Sequence, residues 1–148
     1  MKRRILLVDD DLAVLLTLKT VLEIHGFEVD TAASTAEAFA RLESGVYHMV
    51  ISDLRMETME AGWEVIRAAR RQSYSPATAL LTAYPPSDEH VNGENSRADR
   101  PDSLLIKPLG TKDFVRQVEA LLIRHADQQQ LRQRSSATQA QARQRRAV

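Results

Sequence analysis

The chain has 148 residues, 43% of them hydrophobic, which is enough for one domain with a buried core and short for two. Its formal net charge is zero, but residues 125–148 hold five arginines (Arg132, Arg134, Arg143, Arg145 and Arg146) against Asp127, so residues 1–124 carry a matching acidic excess of four. An acidic body argues against direct nucleic-acid binding by that body and leaves the tail as the only segment suited to an anionic partner. With no cysteine there is neither a disulfide framework nor a thiolate metal site, and the apolar run after Met1-Lys2-Arg3-Arg4 stops at Asp9, too short for export or for a membrane span; a cytoplasmic protein is expected.

In chain order, Ile5–Val8 reads as a first strand. Val14, Leu15, Leu18, Val21 and Leu22 then give one apolar helical face, closed by Gly26. Phe27–Ala32 is a second strand, and Ser34-Thr35-Ala36-Glu37 is a capping box opening a helix whose buried side is expected to include Ala38, Phe39 and Leu42. Tyr47–Ser52 is a third strand, Trp63, Val65, Ile66 and Ala69 mark a third helix, and Ala77–Leu81 is a fourth strand. Leu104–Ile106 is a fifth strand, ending at Lys107-Pro108, and Phe114, Val118, Leu121 and Leu122 place a last helix after a cap at Gly110 or Thr111. Pro85–Asp102 breaks the rhythm: three prolines, a glycine and few apolar residues predict an irregular segment with a degenerate fourth helix. Residues 125–148 form a Gln/Arg/Ala-rich basic tail, expected to extend the last helix briefly and then to be disordered, which leaves residues 1–124 as the domain. The tail is too poor in apolar residues for a second core, so the sequence reads as a stand-alone module.

Short Ile/Leu/Val-rich runs alternating with helical segments predict an α/β fold, a doubly wound five-stranded parallel sheet. In such a sheet, polar residues at the carboxyl ends of strands converge on one crevice. Asp9 and Asp10 follow the first strand, Asp53 the third, Thr82 the fourth and Lys107 the fifth. Three carboxylates in one crevice repel and call for a cation, and hard oxygen ligands suit Mg²⁺. A metal, a lysine and a hydroxyl around a nucleophilic carboxylate are the parts of phosphoryl-transfer chemistry.

Ile5-Leu6-Leu7-Val8-Asp9-Asp10-Asp11, Val50-Ile51-Ser52-Asp53-Leu54-Arg55-Met56, Leu80-Leu81-Thr82-Ala83 and Leu105-Ile106-Lys107-Pro108, in that order, resemble the CheY-like receiver domains of two-component response regulators over residues 3–124. The resemblance implies a flavodoxin-like (βα)5 strand order of 2-1-3-4-5, with Asp53 as phosphoacceptor and a sensor histidine kinase or phosphotransfer protein as donor. It also implies Mg²⁺ held by Asp10, Asp53 and the main-chain carbonyl of Arg55, with Asp9 acting through water, and Thr82 and Lys107 on the phosphoryl oxygens. The Lys107-Pro108 bond would be cis. Such a protein is a switch that catalyses its own phosphorylation, not a turnover enzyme, and its downstream protein target is not named by the sequence.

The chain also departs from that pattern. Glu57 stands where receivers usually have a proline, Gly62 arrives one residue late, and the aromatic usually found three residues before the lysine is Leu104. These departures support an alternative, a pseudo-receiver interaction module that keeps the acids but switches poorly. A third reading, a haloacid-dehalogenase-type phosphatase, rests on the Asp-x-Asp within Asp9-Asp10-Asp11. Residue by residue, the acidic triplet could serve only as a helix N-terminus. His25, His48, His90 and His125 lack metal spacing, Trp63 and Phe114 read as packing residues, and Arg67, Arg70 and Arg71 read as a solvated helix face.

Overall fold

The computed structural model describes residues 2–58, 60–83, 100–107 and 110–146. Its strands are β1 (Arg4–Val8), β2 (Glu28–Ala32), β3 (Met49–Asp53), β4 (Ala77–Thr82) and β5 (Ser103–Ile106). Among the described residues there are four helices: α1 (Leu12–Ile24), α2 (Thr35–Ser44), α3 (Ala61–Arg70) and α4 (Thr111–Arg146). The strands form one parallel sheet in the order β2-β1-β3-β4-β5, the doubly wound arrangement expected from the sequence.

The apolar runs are continuous because the central strands are covered on both faces. Ile5 and Leu7 of β1, Met49 and Ile51 of β3, and Ala77, Ala79 and Leu81 of β4 pack with Leu15 and Leu22 of α1 and with Phe114, Val118, Leu121 and Leu122 of α4. Their neighbours Leu6, Val8 and Val50 point the other way, onto Ala38 and Leu42 of α2 and Val65 and Ala69 of α3. Trp63 fills a smaller pocket with Leu54, Ile66 and Leu80. Phe39, expected on the buried side of α2, is 37% exposed; only Ala38 and Leu42 of that face are covered, so the apolar stripe is narrower than the spacing suggested.

The helix ends follow local chemistry. Asp11 caps α1, its side chain accepting from the amides of Ala13 and Val14. At the other end Phe27 N donates to Leu22 O and Gly26 N to Glu23 O, the paired bonds of a Schellman motif, with Gly26 at φ +92°. The Ser34 hydroxyl accepts from Glu37 N, while the Glu37 carboxylate accepts from Ala33 N, one residue before the usual partner. α4 begins at Thr111, and the carbonyl of Gly110 accepts its first helical bond from Phe114 N.

Two expectations change. α4 continues to Arg146, far beyond a brief extension: Gln, Arg and Ala all have favourable helix propensity, although none of the residues 123–143 is buried. At the end of the irregular segment, Asp102 is firmly held, its carboxylate accepting from Thr78 N (2.8 Å) and the Thr78 hydroxyl (3.1 Å). The rest of the expectation for Pro85–Asp102, up to residue 99, lies outside the described residues, as do His90 and the isomer of the bond to Pro108.

α3 starts directly against the end of β3. Gly62 N donates to Leu54 O, and a Cβ on Gly62 would lie 2.4 Å from Asp53 O and 2.6 Å from Leu54 Cα. Glycine is required here by close approach, whereas Gly26 has open space and is favoured only by its backbone angle. Gly62→Ala is therefore expected to cost roughly 2–4 kcal/mol in urea unfolding, against about 1 kcal/mol for Gly26→Ala. Equal losses at the two sites would contradict the steric account.

Candidate functional site

The three carboxylates reach the carboxyl edge of the sheet by different routes. Asp9 follows β1 immediately and is 3% exposed; its amide donates to Ala32 O on β2, and its Oδ1 accepts from Asp11 N at 3.0 Å. Asp10 is exposed, and Asp11 turns away to cap α1, so the acidic triplet divides into two site residues and one helix cap. Asp53 is the last residue of β3, half-buried, opposite Leu81 in the sheet register. Carboxylate oxygens of Asp9, Asp10 and Asp53 all lie within 4.8 Å of one another.

Lys107 answers part of that charge. Its Nζ lies 3.4 Å from Asp9 Oδ2 and 3.6 Å from Asp53 Oδ1. Thr82 ends β4, only 3% exposed, and its carbonyl accepts from Lys107 N at 2.7 Å, which sets the two residues side by side. Arg55 is exposed in the β3–α3 loop, where the next amide, Met56 N, donates to Thr58 O. The sequence-predicted residues Asp9, Asp10, Asp53 and Lys107 are thus brought together, with Thr82 adjacent through the backbone and Arg55 two residues beyond Asp53.

Burial, followed by the charge of Asp9, pushes the Asp53 carboxyl up to about 6, and Lys107 offsets this only in part. Three carboxylates and one ammonium leave a formal excess of two negative charges, which a divalent cation would balance. The donors are all oxygens, from residues close enough to share one ion, so the site fits Mg²⁺.

Other polar residues have structural roles. His48 Nδ1 accepts from Arg4 N, His125 Nε2 meets Ser75 O at 2.8 Å, and the His25 ring lies 2.9 Å from Val21 O. Arg70 pairs with Asp102 at 3.5 Å, so the arginine face of α3 is not wholly solvated. The sequence reading missed Glu57: its Oε1 accepts from Thr35 N (2.9 Å) and its Oε2 from the Thr35 hydroxyl (2.7 Å), which holds its carboxyl below the usual range. The signal available was the acid standing in place of proline. It also missed Asp30, which accepts from Tyr47 Oη (2.7 Å) and the Arg4 guanidinium (2.8 Å) and ties β1 and β2 to the start of β3.

A family model described as the response regulator receiver domain matches residues 5–119. The chain is 33% identical over 123 residues to the transcriptional regulatory protein CpxR homolog of Haemophilus influenzae, covering 83% of this chain and 52% of that protein. It is 34% identical over 121 residues to the transcriptional regulatory protein PrrA of Mycobacterium tuberculosis, covering 82% and 50%. The chain thus spans about half the length of the curated relatives it matches. Among solved structures, a response regulator receiver domain protein (CheY-like) from Methanospirillum hungatei aligns with a TM-score of 0.76 at 26% identity, covering 86% of this chain and 99% of that one. The response regulator protein TrrA from Thermotoga maritima, solved in complex with Mg(2+)-BeF, aligns with a TM-score of 0.66 at 32% identity, covering 80% and 98%.

A metal-free crevice of this kind has a pH signature. Asp53 binds its proton more tightly folded, near 6, than unfolded, near the usual 3.8, so ionisation opposes folding and stability falls as pH rises through that window. Asp53→Asn is expected to raise stability at pH 7.5 by on the order of 1–3 kcal/mol without metal, with the gain shrinking towards pH 4. Urea unfolding of both proteins across pH 4–8 checks this; a gain that is flat with pH would refute the charge origin.

Proposed function

The chain belongs to the response regulator receiver domain family of two-component signalling, and on that premise we propose that Asp53 accepts a phosphoryl group from the phosphohistidine of a sensor histidine kinase or phosphotransfer protein. The observation that carries this reading is the convergence of Asp9, Asp10 and Asp53 with Lys107 at the carboxyl edge of the sheet. Family members are signalling proteins rather than turnover enzymes, and this chain is proposed to change its partner-binding face on phosphorylation.

In the proposed reaction an Asp53 carboxylate oxygen attacks phosphorus, the new O–P bond forming as the N–P bond of the donor breaks and its electron pair stays on the histidine nitrogen. Asp10, Asp53 and the main-chain carbonyl of Arg55, with Asp9 acting through water, would hold Mg²⁺, which would neutralise charge on the phosphoryl oxygens. Lys107, already within 3.6 Å of Asp53, is placed to pair with a phosphoryl oxygen once that carboxylate has become an anhydride. The Thr82 hydroxyl, at the end of β4, serves as donor to another. Hydrolysis reverses the charge change and restores the free carboxylate.

No helix among the described residues is long and apolar enough to cross a membrane. Residues 1–124 are proposed as the phosphoacceptor unit, with no direct nucleic-acid contact of their own, and residues 125–148 as an appended basic tail. The downstream target belongs to whatever surface responds to the change at Lys107 and Thr82.

Acetyl phosphate as donor gives a direct test. Labelling is expected with Mg²⁺, none with a chelator and none in Asp53→Asn, while Lys107→Ala should slow it by about 10²-fold. If the folded wild-type protein binds Mg²⁺ yet takes no label, the interaction-module reading replaces this one. Truncation after Arg124 should leave labelling intact, since every assigned residue lies between Asp9 and Lys107; a folded truncate that cannot be labelled would refute the boundary.

A further inference from the structure

The β3–α3 loop has a problem that its glycine does not solve. It carries the Arg55 carbonyl, yet Arg55 and Thr58 are exposed, and the proline that stiffens this loop in the resembling family is replaced by Glu57. Two anchors precede the replacement: Leu54 N donates to Leu81 O, and the half-buried Met56 packs against the core between the sheet, α2 and α3. The direction of the Arg55 carbonyl depends on what holds the peptide plane between these points.

That plane is shared by Arg55 C=O and Met56 N–H, which point in opposite directions across a trans peptide. Met56 N donates to Thr58 O at 3.2 Å, so the short turn 56–58 fixes the amide and with it the carbonyl. Glu57 is the middle residue of the turn. Both oxygens of its carboxylate are held by one residue 22 positions away, Thr35, through its amide (2.9 Å) and hydroxyl (2.7 Å). Thr35 is the first residue of α2, where amides lack helical acceptors and the helix dipole favours an anion. The same segment is fixed to the site from the other side, because Ala32 O at the end of β2 accepts from Asp9 N.

We propose that Glu57 and Thr35 form a clamp that holds the Arg55–Met56 peptide plane, making Glu57 a positioning residue for the carbonyl that completes the Mg²⁺ site. The inference rests on the reading of Arg55 as a metal ligand. Glu57 does not touch the ion; it acts through the turn, in the way outer partners orient metal ligands. A proline would restrict the loop by covalent geometry, whereas this chain restricts it through an ion–dipole contact between two elements.

The test uses the full chain and Mg²⁺ alone, titrated by calorimetry, beside Asp10→Ala as a control on the metal site. Glu57→Ala and Thr35→Val should each weaken Mg²⁺ binding by roughly tenfold, and the double variant should be no weaker than either single one. Glu57→Gln, which keeps one acceptor, should fall between wild type and Glu57→Ala. In acetyl phosphate labelling, the Mg²⁺ concentration at half-maximal rate should rise for Glu57→Ala while the plateau stays within about twofold, because the ligand is misplaced rather than lost. Metal-free unfolding of each variant guards against a trivial loss of fold. Mg²⁺ affinity within twofold of wild type in Glu57→Ala, or additive losses in the double variant, would overturn the clamp. Unchanged Mg²⁺ binding in Asp10→Ala would instead overturn the metal assignment on which it rests.

Discussion

Mutual repulsion among Asp9, Asp10 and Asp53 is the constraint from which the rest of the molecule follows. Their oxygens lie within 4.8 Å of one another, one of the three residues is almost fully buried, and a single ammonium stands among them. Left to itself such a cluster would splay apart or take up protons, and Asp53 does part of the latter by titrating near 6. The strands must therefore hold the acids in place by force of packing. Leu6, Ile51 and Leu80, each at most 1% exposed and packed on opposite faces, give the edge little freedom to relax. The cost is an unfavourable resting electrostatic state, which a divalent cation relieves.

Backbone approach is the second constraint and serves the first. α3 can begin so close to Asp53 only because Gly62 has no side chain, and its bond to Leu54 O fixes the residue next to the acid. In the resembling family the glycine comes one position earlier and a proline stiffens the loop. Here the glycine stands one position later, and it meets the end of β3. Loop length has changed while the steric requirement has stayed where the strand ends.

The parts legible in sequence were those governed by short-range periodicity. Ile5–Val8 and Ala77–Leu81 read as strands because both faces are buried, and Gly26 marked a helix end through its backbone angle alone. Asp9, Asp53, Thr82 and Lys107 stood out because each terminates an apolar run. What the sequence hid depends on contacts between distant residues. Glu57 is exposed and charged, and nothing local marks it as the partner of Thr35. Asp102 looked like part of an irregular segment, but its carboxylate bonds to Thr78 and its neighbours across the fold are Arg70 and His125. Phe39 misled through spacing, since helical period says which residues share a face but not how wide a face the sheet covers. The tail misled because low apolar content excludes a core without excluding a helix.

The arrangement of β5 bears on how a charge change at Asp53 can travel. Among the described residues β5 pairs only with β4, and that pairing is bounded by two tight contacts: Lys107 N to Thr82 O at 2.7 Å near the site, and Asp102 with Thr78 at the far end. The main chains of Thr82 and Lys107, the two residues proposed to meet phosphoryl oxygens, therefore belong to one hydrogen-bonded unit. Leu104, at 39% exposure, lies inside that unit opposite Leu80. A flexible aliphatic there has no planar ring to swing between two packed positions, so its side chain cannot store a two-state signal in the way an aromatic can. The backbone pairing of β4 and β5, with Lys107 fastened at one end and Asp102 at the other, is a continuous path along which a change at Asp53 can reach this edge.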